Sequence, residues 1–106
     1  MKNKLILIAL FTVTFSLAQE NTKAHQITSE LSKVMNLSDE ESAQFLNLNI
    51  DRFSKRKELE KQYGNDKEGY KEEIKFVEKE YNKKLRKLVG EEKFKLLIEH
   101  RKKNKL

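Results

Sequence analysis

Two amphipathic helical runs separated by Gly64-Asn65-Asp66 constrain this chain more than any other feature. In the second run Tyr70, Ile74, Val77, Tyr81, Leu85 and Leu88 recur at steps of four and three, and the five steps cover 18 residues. That is the 3.6-residue period of a straight α-helix, with one apolar face along its length. The residues between them are mostly Lys and Glu, as on a helix with one face in water. A long supercoil would want a 3.5 period instead. The first run opens with a start signal: Ser38 stands at the N-cap position, Glu41 three residues later completes a capping box, and Leu37 sits where a hydrophobic staple would. Leu46, Ile50 and Phe53 then form one stripe, with Phe45, Leu48, Leu59 and Tyr63 about 100–160° around the helix from it. A helix with two apolar faces needs two neighbours. One is the second run; the other is a flanking helix of the same chain or a second copy.

The expected architecture is therefore all-α: four helices built around an antiparallel hairpin, about 38–63 and 67–89. Ala24, Ile27, Leu31, Val34 and Met35 mark a first helix between Glu20 and Asn36, and Phe94, Leu97 and Ile98 a fourth from Glu91 to about Lys103. Gly90 supplies either a left-handed residue closing the third helix or the N-cap of the fourth. Between Ser54 and Lys61 only Leu59 is apolar, so the hairpin tip is expected to be thinly packed. Four helices in so short a chain cannot bury a large core, and dimerisation is the expected support.

The N-terminus reads as an export signal. Lys2 and Lys4 precede the apolar run from Leu5 to Phe15, and Ser16-Leu17-Ala18 supplies a small-x-small site. Cleavage is expected after Ala18, leaving one helical domain over 19–106. The apolar run is shorter than the roughly 20 residues of a membrane span, so no stable insertion is expected after cleavage. Without Lys2 and Lys4, 21 basic residues face 17 acidic ones, a net +4. The charges are interleaved, which with export argues against nucleic acid. Only Arg101-Lys102-Lys103-Asn104-Lys105 is a basic cluster, read as cations at a helix C-terminus.

The chain has no cysteine, and therefore no disulfide framework and no thiol chemistry. His25 and His100 lie far apart and Met35 stands alone beyond the leader, so no metal-ligand set is expected. A looped acidic cluster for calcium is also missing. There is no Gly-rich phosphate loop and no nucleophile elbow, and the abundant carboxylates fall on wet helix faces. No catalytic residue and no cofactor are expected.

At its two capping sites the chain resembles the Spy/CpxP family of small helical periplasmic proteins. Leu37-Ser38-Asp39-Glu40-Glu41 is similar to that family's L-T-x-x-Q motif, with Ser and Glu keeping the capping chemistry of Thr and Gln. Val89-Gly90-Glu91-Glu92-Lys93 occupies the place of the second copy, where Lys93 replaces Gln and the reciprocal cap is lost. The order of elements is similar over nearly the whole chain after the leader. The resemblance implies a periplasmic location, a curved and commonly dimeric cradle of long helices, and one of several roles. These are an ATP-independent holdase for unfolded envelope proteins, a regulator docking on one partner such as a sensor kinase's periplasmic domain, or, as the weakest reading, a metal-resistance protein. It further implies a client-binding surface of Arg52, Lys55, Arg56 and Lys57 with Phe45, Leu48, Leu59, Tyr63 and Phe76. The bland alternative is that these apolar residues are simply covered by neighbouring helices.

Overall fold

A computed structural model describes residues 22–104, and among them there are helices and no strand. The helices are α1 (described over 22–35), α2 (Asp39–Tyr63), α3 (Lys67–Val89) and α4 (Glu91–Asn104). The expected leader, 1–18, lies outside the described residues.

Each junction is set by a local device. Asn36 closes α1 with a positive φ of 56°; its N–H donates to the Lys33 carbonyl and the Leu37 N–H to that of Ser32. That pair of bonds is a Schellman closure, with Asn in the place usually taken by glycine. Two residues later Ser38 opens α2. Its hydroxyl accepts from the Glu41 N–H at 3.1 Å while Glu41 Oε1 accepts from the Ser38 N–H at 3.0 Å, a complete capping box. Leu37 packs onto the core cluster rather than stapling the next turn, because the fourth helical position is Ser42, whose hydroxyl bonds Ser32 at 2.7 Å. At the tip, Asp66 caps α3 by accepting from the Gly69 N–H at 3.1 Å.

Gly90 performs both of the roles open to it. Its N–H donates to the Arg86 carbonyl, ending α3, and its own carbonyl accepts from the Phe94 N–H, starting α4. Its φ of 88° and ψ of 165° belong to a region that only glycine occupies readily.

Helices α2 and α3 run antiparallel: Asn49 bonds Tyr81, and three residues further along α2, Arg52 bonds Glu78, three residues earlier on α3. Helix α1 lies on the first half of α2, where Thr28 reaches Asn49 and Ser32 reaches Ser42. Helix α4 folds back on the end of α3. The core collects at this shared end: Met35, Phe45, Tyr81, Leu85, Val89, Phe94 and Leu97, with Leu31, Leu37, Leu48, Leu88 and Ile98 packed against it. On α3 the deepest residues are Tyr81, Leu85 and Val89, so the stripe ends on Val89 with Leu88 only half-buried.

On α2 the order of burial differs from the apolar pattern. Leu46, Ile50 and Phe53 are half-buried, whereas Phe45 and Asn49 are buried. Asn49 is buried almost as completely as Phe45, at the position wedged between α1 and α3. Beyond the Arg52–Glu78 pair the hairpin continues to its tip with no buried residue from 50 to 80. The tip half is two helices thick and nothing more.

Replacing Gly90 with Ala should destabilise the protein by about 1–2 kcal/mol through backbone strain alone. An added Cβ meets no atom within 4 Å there, so no clash contributes. Urea unfolding checks this; an unchanged midpoint would show that the junction accommodates a different φ.

Candidate functional site

The residues picked out as a client surface do not form one surface. Phe45, expected in the binding set, is instead fully buried in the core and cannot face a client. The cause is its position on α2, on the side that packs into the cluster with Leu85 and Tyr81. Leu48 is half-buried against the same cluster.

Arg52, expected in the same set, already has its charge engaged within the protein. Its Nε and Nη2 donate to the two carboxylate oxygens of Glu78 at 3.0 and 2.7 Å, a two-pronged pairing. Its guanidinium also lies 4.5 Å from the centre of the Tyr81 ring. These groups seal the top of the core and leave a crevice of about 10 Å³ between the helices, room for no more than one water.

Past this seal, Arg56, Leu59 and Tyr63 continue the same side of α2 toward the tip, following Arg52 at four, seven and eleven residues. All three are half-buried, as are Tyr70, Ile74 and Val77 on the opposing arm. Here apolar and cationic groups meet water with only one helix to cover them. Lys57 is half-buried on another side of α2, and Lys55 pairs with Asp51 at 2.9 Å along the helix surface. Phe76 stands apart on α3, 63% exposed. The candidate site therefore contracts to the tip row of Arg56, Leu59 and Tyr63 with its partners on α3.

Beneath it lies a polar arrangement that apolar patterning misses. Asn49 Nδ2 donates to Thr28 Oγ1 at 2.7 Å, and the Tyr81 hydroxyl donates to Asn49 Oδ1, so one amide joins α1, α2 and α3. Burial pushes the Tyr81 phenol above its usual range, against the opposing pull of Arg52 and Arg101, which keeps it the neutral donor this bond requires. Thr28 and Asn49 are the buried polar residues of the described chain. The available signal was spacing: Thr28 lies four residues past Ala24, and Asn49 four past Phe45, each in register with a buried neighbour.

A second unforeseen link ties the two capping segments together. Lys93, at the position where the second cap loses its acceptor, reaches Glu41 Oε1 at 2.7 Å. The acid that caps α2 thus also anchors α4. The Lys93 ammonium and then the Ser38 N–H hold the Glu41 carboxyl below its usual value of 4.5.

Among the described residues no group of three or more His, Cys, Asp or Glu side chains is placed to hold a metal ion. His25 is exposed, and His100 shares a hydrogen bond with Asn104 in the last turn of α4. Among the described helices none is long and apolar enough to cross a membrane. No protein-family model, curated protein or solved structure matches this chain.

Two substitutions test these links. Tyr81→Phe removes the donor to Asn49 Oδ1 and should cost about 1–3 kcal/mol, read by denaturant unfolding; a neutral result would mean that the buried amide finds another partner. For Glu41 the folded value is depressed, so its contribution is complete above pH 4.5 and disappears as pH falls through the folded value. Glu41→Gln, which keeps an acceptor for the cap but loses the ion pair, should melt below the parent protein at neutral pH. The gap should close on acidification. A gap that persists in strong acid would show that Lys93 is not the cause.

Proposed function

We propose that this protein binds exposed segments of other, incompletely folded proteins along the tip half of its helical hairpin, as an ATP-independent exported chaperone of the Spy/CpxP kind. The observation that carries this reading is the contrast between the two halves of the hairpin: every buried hairpin residue lies at the core end, while Leu59, Tyr63, Tyr70, Ile74 and Val77 are only half-covered. Scattered apolar side chains with cations beside them, here Arg56 and Lys57, attract non-native chains weakly and without sequence preference. Such a surface needs no pocket and no cofactor. The capped segments at Leu37–Glu41 and Val89–Lys93 and the leader-like N-terminus add support from the family resemblance. Dimerisation belongs to the same proposal, since a second copy would curve and extend the surface.

The test is suppression of aggregation of two chemically unrelated unfolded proteins, followed by light scattering. Suppression of both at near-stoichiometric ratios is expected. Leu59→Ser with Tyr63→Ser should weaken binding about thirtyfold, since each removes roughly 1 kcal/mol of apolar contact, while leaving helicity intact. No suppression of either client, with one saturable partner found by crosslinking in the envelope, would replace the chaperone reading with the regulatory one.

A further inference from the structure

Helix α3 carries a feature that neither the core nor the tip surface uses. Lys67, Lys71, Lys75, Lys79, Lys83 and Lys87 follow one another at every fourth residue, and all six are exposed. None of them makes an ion pair or a side-chain hydrogen bond among the described residues. Because four residues overshoot one helical turn, the row winds slowly around the helix. From Lys75 to Lys87 it spans about 120° and about 18 Å, on the side of α3 roughly opposite Tyr81 and Leu85.

Acids are scarce on this stretch. Glu78 is committed to Arg52, and Glu80 borders the row. Arg86 adds a cation beside it and is held by Glu91 at 3.4 Å. The arrangement works against the helix: like charges four residues apart repel, whereas a Glu at alternate positions would have stabilised the same surface. Solubility alone does not require it, since the adjoining positions Glu68, Glu72 and Glu80 already mix the signs. Phe76, 63% exposed, stands within a turn of Lys75 and Lys79 with no apolar neighbour to cover it.

We propose that the outward face of α3, from Lys75 to Lys87, docks on an anionic lipid surface. A convex band of lysines winding through about 120° offers no groove to a polymer, whereas the flexible stems at its edges let all four ammonium groups reach toward one plane. Each lysine close to such a surface gains from the negative surface potential, and their long stems let the ammonium groups reach headgroup phosphates. Phe76 fits the boundary between headgroups and acyl chains, where aromatic rings are favoured. The helix stays folded on its own core and lies against the membrane by its polar side. This face is distinct from the tip row on α2, so either surface can fail without the other.

The experiment is co-sedimentation of the protein, in the form that cells accumulate, with vesicles of phosphatidylcholine alone or enriched in phosphatidylglycerol. Binding to the anionic vesicles should exceed that to neutral ones by about tenfold or more at low salt and vanish at high salt. Lys75→Glu with Lys79→Glu and Lys83→Glu should abolish the excess, while Lys55→Glu with Arg56→Glu and Lys61→Glu, the same charge change on α2, should leave most of it. Circular dichroism checks the fold, and Lys→Gln at the three α3 positions replaces the reversal if that variant misfolds. Equal binding to both vesicle types, or an unaltered excess in the α3 variant, would overturn the proposal. Capture by heparin without any excess on anionic vesicles would overturn it too and reassign the face to a soluble polyanion.

Discussion

The amide of Asn49 is the contact on which this fold depends. It is almost fully buried, it accepts from Tyr81 on α3, and it donates to Thr28 on α1. A buried polar group costs free energy wherever it lacks a partner, so any slip of α1 or α3 along α2 leaves at least one of these groups unpaired. Apolar packing alone would not impose that penalty, because a cluster of Leu, Met and Phe tolerates rearrangement at constant volume. The amide therefore defines one alignment of three helices, while Phe45, Leu85 and Leu97 around it supply the bulk of the driving force. Arg52, stacked on Tyr81 and paired with Glu78, extends the same alignment by one turn.

With the alignment held at one end, the rest of the molecule is graded. Helix α1 and helix α4 both pack at the core end, and α4 is fastened there twice: by Phe94 and Leu97 in the cluster, and by Lys93 on Glu41. The tip half has no third helix. Its backbone hydrogen bonds rest on local helix propensity and on half-covered side chains, the conditions under which local opening is cheapest. Under the proposed chaperone reading that freedom is useful, because side chains such as Tyr63 and Leu59 can move toward a partner without disturbing the core.

Much of this was legible in the residues themselves. The 3.6-residue recurrence on α3, the Ser38–Glu41 box and the Gly64-Asn65-Asp66 turn specify where both long helices begin and end, since caps and periodicity are local properties. What periodicity could not rank was depth. Leu46, Ile50 and Phe53 look like the inner stripe of α2, yet Asn49 lies deeper, because the three-helix contact was decided by pairing of polar groups rather than by hydropathy. The family resemblance had implied a binding surface that includes Phe45 and Arg52, and nothing local in the residues opposed it. A cation and an aromatic near a hairpin read as available until the acceptor at Glu78 and the ring at Tyr81, both remote in sequence, come into view. The Asn36 closure was within reach, since Asn shares with Gly a tolerance for positive φ.

The two capping segments show why a local departure from a motif need not weaken a fold. Lys93 cannot accept a hydrogen bond from a helix N-terminus, so on local grounds the second segment has lost its reciprocal cap. Gly90 offsets that loss with a carbonyl that starts α4 and a backbone that ends α3 in the same residue. The lysine is thereby free for a contact that a glutamine would make more weakly, an ion pair to a carboxylate that is itself held in place by the first cap. One capping acid now serves two junctions, and the start of α2 and the docking of α4 respond together to whatever protonates or displaces Glu41.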